Sequence, residues 1–423
     1  MTGQRIRTFG TGTAALALAA VLAASAPEVT AIRNGKVVTV SGPAIENGVV
    51  LMSGGTITAV GANLAVPDGA AVIDAGGGWI LPGLVDARTS IGLTEERGGG
   101  PPDELSDANT PQLLVLDGFN PFDKRVRRLV MAGITTAMIT PGRANVIGGQ
   151  PAVVRLAAAT PDEVALLSPA GVKLSLGEGP KAAFGEKSKL PGTRMGAAFV
   201  VRKALLDAAE YARKRKAHEA APDKGPAPAT DLALEPLARL LDGRLTAYIE
   251  TYRADDIVTA LRLVDEFKLK AVLIGCTEGG RVAAEIARRK IPVIAGPIGI
   301  GPRRFETERV NLGDAAQLAS AGAVVAIASE DEMGIGAPEE LPLAAALAVK
   351  GGLPADAALR AITLTAAQVL GVGDHVGSLE AGKDADVVIF TGDPLRYTSR
   401  VRTVISAGKV VYSDGVPPHA GSR

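Results

Sequence analysis

Arg88, Glu250, Tyr252 and Glu330 each lie within or just after an apolar run that reads as a strand, at residues 84–87, 247–251 and 323–329. Their chemistry is complementary. A carboxylate such as Glu330 or Glu250 can serve as a general base, a guanidinium such as Arg88 can stabilise a developing oxyanion, and a phenol such as Tyr252 can donate a proton. That set could hydrolyse an amide without a metal. The same carboxylates, with Ser90 and Asp331, could instead collect a hard cation such as Ca²⁺ or Mg²⁺ through oxygen, but Arg88 opposes a cation there. In a third arrangement Arg88 pairs with Glu330, and with Glu250, and neutralises acids that would otherwise crowd one mouth. Spacing along the chain does not decide among the three.

Other chemistries are poorly supplied. The three histidines, His218, His375 and His419, fall in an Ala/Pro/Lys-rich interruption, a turn and the tail, and each reads as an exposed residue. The single cysteine, Cys276, has no histidine to activate it and reads as a small buried hydrophobe. An oxidising compartment would therefore form no disulfide within the chain. Gly54-Gly55 and residues 76–78 read as turns, and no glycine loop suited to phosphate is present.

The elements that must hold these residues form a long chain of 423 residues, 47% hydrophobic and 21% charged, with a formal net charge of zero. That length fits a large α/β barrel plus a minor domain. No basic stripe is interleaved with aromatics, which argues against nucleic acid as a partner. At the start, Arg5 and Arg7 precede an apolar run at residues 14–24, and Ala24-Ser25-Ala26 offers a small-residue cleavage site. Residues 1–26 are thus expected to be a signal peptide, with the mature protein periplasmic or secreted and not membrane-bound. The arginines are not adjacent, which argues against twin-arginine export.

Residues 27–78 read as short strands separated by turn pairs. Asn34-Gly35 and Gly54-Gly55 each carry a hairpin signal. Strand grammar returns at residues 386–391, 401–406 and 409–412, the last two joined by Ala407-Gly408. Two β-rich ends bracketing an α/β middle imply a small β-sandwich built from residues 27–78 and 374–423. Between them, residues 79–373 alternate strands and helices as a parallel (β/α)8 barrel requires. Helices are expected at 123–132, 198–216, 255–267, 280–289, 343–350 and 355–370. Residues 217–231 read as a surface loop. The Gly/Pro-rich stretch 94–109 follows the first barrel strand, on the face where barrels carry active sites, and could form a lid or pocket wall.

The run Ile80-Leu81-Pro82-Gly83-Leu84-Val85-Asp86-Ala87 closely resembles the first barrel strand of the amidohydrolase superfamily. The resemblance extends through Ala132-Gly133-Ile134-Thr135-Thr136, residues 141–150 and Gly177-Glu178-Gly179-Pro180-Lys181 to Tyr252-Arg253-Ala254-Asp255-Asp256. It ends in the specific C-terminal signature Val376-Gly377-Ser378-Leu379-Glu380-Ala381-Gly382-Lys383-Asp384-Ala385-Asp386. Its nearest branch is an often exported one related to imidazolonepropionase.

The resemblance implies hydrolysis of C–N bonds in cyclic amides or peptide-like small molecules, assisted by zinc or another divalent metal. It also implies which positions carry ligands. The first-strand histidine pair falls on Arg88 and Ser90, the fifth-strand pair on Glu250 and Tyr252, the sixth-strand histidine on Gly275 and the last-strand aspartate on Glu330. No imidazole remains at any of them, so the expected cofactor is none. A bridging lysine of some relatives would correspond to Lys173 or Arg155, and Gly148-Gly149-Gln150 could contact ligand. The expectation is a degenerate member that binds a small molecule, forms a homo-oligomer or pairs with an active relative. The alternative is a hydrolase rebuilt on Arg88, Glu250, Tyr252 and Glu330.

Overall fold

The computed structural model describes residues 29–93, 102–158, 160–299, 304–329 and 341–415. The expected signal peptide, Glu330, Asp331 and His419 lie outside the described residues. The N-terminal strands are β1 (Val29–Val37), β2 (Ile45–Ser53), β3 (Thr56–Gly61), β4 (Ala71–Asp74) and β5 (Trp79–Pro82). Gly54-Gly55 joins β2 to β3 as a hairpin, as expected.

Asn34-Gly35 does not turn the chain. β1 runs straight through it, and the register against β2 shifts on either side of Gly35. Asn34 adopts φ +60°, its carbonyl accepts from the Gly77 amide at 2.7 Å, and its side-chain amide donates to Asp74 at 2.7 Å. A Cβ at Gly35 would stand 2.7 Å from that of Ala75 and 2.8 Å from the Gly78 carbonyl oxygen. The pair is a bulge that grips a turn some forty residues on, a use of Asn-Gly that local spacing does not distinguish from a hairpin.

The barrel begins at β6 (Leu84–Thr89), followed by β7 (Ile134–Ile139), β8 (Ala152–Arg155), β9 (Ala165–Leu167), β10 (Gly171–Ser175), β11 (Thr246–Thr251), β12 (Ala271–Gly275), β13 (Val293–Ala295) and β14 (Val325–Ile327). β6 and β7 pair in parallel, as do β10 to β14 in order. Between these two sets the expected parallel pattern fails. β8 is antiparallel to β7, because no helix separates them and a parallel partner needs a crossover. Residues 146–149 complete the wall against β10, with the Gly148 amide donating to the Lys173 carbonyl at 2.8 Å.

Most expected helices form, with three departures. The long helix Arg194–Ala220 starts earlier than residue 198 because the Thr193 hydroxyl caps the Gly196 amide at 3.0 Å. It also runs past 216, so His218 lies in its last turn rather than in a loop. Residues 280–289 form a short 3₁₀ turn, Gly279–Val282, and then helix Ala283–Arg288. Residues 355–370 form two helices, Ala355–Ala361 and Leu364–Val369. They break where the Ile362 carbonyl accepts from the Val85 amide of β6 at 2.9 Å.

The C-terminal strands β15 (Val387–Phe390), β16 (Val401–Ser406) and β17 (Lys409–Ser413) join the N-terminal ones in a single eight-stranded sheet, in the order β17-β16-β15-β5-β1-β2-β3 with β4 also on β1. The sheet curls onto itself, for the Gly55 carbonyl accepts from the Ala385 amide at 2.8 Å. Ile32, Val50, Ile57, Val387 and Ile405, from strands of both chain ends, share one core. Each such aliphatic side chain contributes roughly 1.5–3 kcal/mol by burial. The architecture is an α/β (β/α)8-type barrel with a small β-sandwich drawn from both ends. Arg155 ties the two together. It sits on β8 and pairs with Asp384, and with Asp386 at 3.6 Å, and so serves as a structural ion pair.

Candidate functional site

Side chains alternate along a strand, so Thr246, Tyr248 and Glu250 of β11 share one face of that strand. Glu250 stands at its C-terminal end with only 1% of its surface exposed. One carboxylate oxygen, Oε2, lies 2.6 Å from the Lys173 ammonium of β10 and 3.3 Å from Nη2 of Arg88 at the end of β6. The other, Oε1, accepts from the Tyr252 hydroxyl at 2.7 Å. Three elements thus converge on one carboxylate, and both of its oxygens are engaged. Burial works against its charge, but Lys173 and Arg88 overcome that and hold it well below the usual carboxylate range. The same burial works to discharge Lys173, whose ammonium is also held by the Ser175 hydroxyl at 3.0 Å and the Gly142 carbonyl at 3.3 Å.

Gly275, at the end of β12, explains how Tyr252 gains its place. It adopts φ +91°, and a Cβ there would come within 2.7 Å of the tyrosine ring and 2.9 Å of the Thr251 carbonyl oxygen. The ring fills the room a side chain at 275 would need. The Arg304 guanidinium lies over its face, 4.5 Å from the centroid. Arg304 also donates to Glu306 at 2.8 Å, and Arg143 donates to the same oxygen at 3.2 Å. The second Glu306 oxygen accepts from the Glu178 amide at 2.8 Å. Burial raises the Glu306 carboxyl despite these partners.

The described part of the long loop after β6 forms a wall of this site. Asp103 accepts from the Ala144 amide at 2.9 Å, and the Asn145 side chain donates to the Glu104 and Asp107 carbonyls at 2.6 and 2.7 Å. Asp103 is raised by burial, with Lys173 and Glu250 close enough to act on it. Below Arg88, Asp86 accepts from the Ser329 hydroxyl, from the Ser329 amide at 3.1 Å and from the Arg88 amide at 3.3 Å. This joins β6 to the end of β14.

Of the residues singled out from sequence, Arg88, Glu250 and Tyr252 come together, Gly275 abuts them, and Ser90 is buried just beyond Arg88. Gly148 borders Lys173 through its backbone. Gln150 faces elsewhere: its side-chain amide donates to the Pro111 carbonyl at 2.9 Å and its backbone amide to that of Leu113 at 2.7 Å. Gly149 also lies against Leu113. Cys276 is buried directly after Gly275, with its amide donating to the Thr251 carbonyl at 2.8 Å. Sequence reasoning missed Asp86, Asp103, Arg143, Arg304 and Glu306. Only Asp86 left a usable signal, an acid inside an apolar strand. Among the described residues, no three of the types His, Cys, Asp and Glu gather as a group that could hold a metal ion.

The amidohydrolase family model matches residues 261–411. The crystal structure of an amidohydrolase from Thermotoga maritima MSB8 superposes with a TM-score of 0.86 and 33% identity, covering 91% of this chain and 100% of that one. The chain belongs to the amidohydrolase family. Amidohydrolase tasK of Hapsidospora irregularis is 27% identical over 404 residues, which is 88% of this chain but 41% of that protein. Imidazolonepropionase of Geobacillus kaustophilus is 41% identical over 110 residues, 24% of this chain and 26% of that enzyme.

Proposed function

We propose that this chain is a metal-free amidohydrolase relative that binds a small molecule at the barrel mouth or serves as a partner subunit, instead of running the family's metal-assisted hydrolysis. The observation that carries the reading is the closed ion-pair cluster of Arg88, Lys173 and Glu250. These residues occupy strand ends where the family resemblance puts metal ligands, and they do not suit a divalent ion. Arg88 brings a fixed positive charge, Lys173 is engaged by Glu250, and no imidazole lies among them. The lone carboxylate has both oxygens committed, and Gly275 offers no side chain. A zinc site wants nitrogen or sulfur donors around an open volume.

The competing reading is a rebuilt hydrolase with Glu250 or Glu330 as base, Arg88 on the oxyanion and Tyr252 as proton donor. Glu250 is poorly suited to that task. A general base works best near the operating pH, and this carboxylate is held far below it by two cations. The Tyr252 proton is already given to Glu250. The relatives' hydrolase names describe those proteins. Export, with residues 1–26 removed and the mature chain periplasmic or secreted, belongs to the same proposal.

Elemental analysis of protein purified without chelator, before and after equilibration with zinc, tests it. We expect far less than one zinc per chain in both, and stoichiometric zinc that survives gel filtration would sink the reading. Turnover of cyclic amides or dipeptides that is abolished in Glu330→Gln would favour the rebuilt hydrolase.

A further inference from the structure

The opposite end of the barrel carries a cavity of about 780 Å³ around the N-terminal ends of β11 and β12. That size lies within the range of small-molecule sites. Tyr248 and Thr246 line its inner side, and Val264, Leu269, Ile291 and Leu370 supply apolar wall. Tyr248 is 1% exposed, and its ring lies across Gly171, where a Cβ would meet it at 2.8 Å. Burial pushes its phenol upward, and its hydroxyl has no protein hydrogen-bond partner among the described residues. The hydroxyl oxygen itself is not fully enclosed and opens onto the cavity, where an acceptor on a ligand can take the place of water.

The rim is basic. Arg244 is matched by Asp242 at 2.6 Å, and Arg289 by Asp265 at 2.8 Å and Glu285 at 2.6 Å. Lys270 and Lys290 also line the cavity, and neither has a carboxylate partner among the described residues. Both add positive charge at the edge of a hollow with aliphatic walls, whose inner side holds the Tyr248 hydroxyl.

We propose that this cavity is a second ligand site, distinct from the mouth, for a small amphiphilic anion. Its carboxylate would meet Lys270 and Lys290, its apolar body would fill the hollow, and an acceptor atom at its far end would take the Tyr248 hydroxyl. The site does not depend on the reading of the mouth.

Isothermal titration with 4′-acetylbiphenyl-4-carboxylate tests it, using 4′-ethylbiphenyl-4-carboxylate as the probe lacking the acceptor. One saturable site is expected for the acetyl probe. Tyr248→Phe keeps the ring and should weaken the acetyl probe about fivefold, the size of one hydrogen bond, while leaving the ethyl probe unchanged. Lys270→Glu with Lys290→Glu should weaken both probes about tenfold or more, and raised salt should mimic the change. Both lysines are exposed, so their reversal does not threaten folding, which circular dichroism would verify. Absence of saturable binding, or binding that ignores the lysine reversals, overturns the proposal. Equal loss of both probes in Tyr248→Phe overturns the assignment of the phenol.

Discussion

Two residues on one face of β11 are set in opposite surroundings. At the C-terminal end Glu250 has every oxygen answered, by Lys173, Arg88 and Tyr252. Two positions earlier on the same face, Tyr248 offers a hydroxyl that no protein group among the described residues answers, beside a hollow with a basic rim. A barrel mouth is normally the open, reactive end and its base the inert one. Here the described part of the mouth is organised by internal ion pairing, whereas at the base the Tyr248 hydroxyl faces a cavity. Buried charge is tolerated when it is paired; at the mouth Lys173 and Arg88 share one carboxylate, so the group stays net positive and disfavours a cation there.

The sharpest way to break this contrast is Glu250→Gln, which leaves Lys173 and Arg88 buried without their shared counter-ion. Urea denaturation should show a loss of roughly 3–5 kcal/mol. In a cycle with Lys173→Met, the double variant should lose clearly less than the sum of the singles. Additive losses would mean that the groups do not act as a unit.

Gly275→Ala comes next. It forces a side chain into a left-handed backbone position and against the Tyr252 ring, and should cost about 3 kcal/mol. Gly275→Ala combined with Tyr252→Ala should recover part of that loss, because only the steric share is relieved. No recovery would show that the ring is not what Gly275 accommodates.

A smaller effect sharpens the comparison through pH. Glu250 is held below its ordinary range, so its share of stability is complete above about 4.3, the unfolded carboxyl value. That share is lost as pH falls through the lower folded value. Asp86 has the opposite sign: burial, opposed by its bonds from Ser329 and Arg88, raises it to about 6. Its folded form favours the proton, so its contribution declines as pH rises from about 4 toward 6 and then levels off. Asp86→Asn should therefore flatten the stability profile by roughly 2 kcal/mol between pH 4 and 7. An unchanged slope would remove Asp86 from the account. The smallest effect belongs to the base, where Lys270→Glu with Lys290→Glu should move stability by less than about 0.5 kcal/mol.

Features carried by local chemistry were legible from the chain. The apolar run through Pro82-Gly83, the Gly54-Gly55 hairpin and the return of strand grammar after residue 386 all stand in the fold. Arg88, Glu250 and Tyr252 were marked by falling at strand ends. The rest was set by partners distant in sequence. Asn34-Gly35 reads as a hairpin until Asp74 and Gly78 are brought against it. Lys173 meets Glu250 only because the β10–β11 register puts Ser175 opposite Glu250, which lets the lysine reach diagonally. Arg143 and Glu306 come together across 163 positions, a pairing that no window along the sequence contains.

The closed sheet has a consequence for how the molecule is made. β15, from the last part of the chain, is the partner that β5 requires, and the carbonyl at Gly55 waits for Ala385. A nascent chain leaving the ribosome therefore cannot finish its first-made layer until nearly all of it has emerged. High contact order of this kind slows folding and prolongs the exposure of unpaired strand edges. Synthesis from one end to the other leaves the outer edge of β5 without β15 until late, open to mispairing for that time.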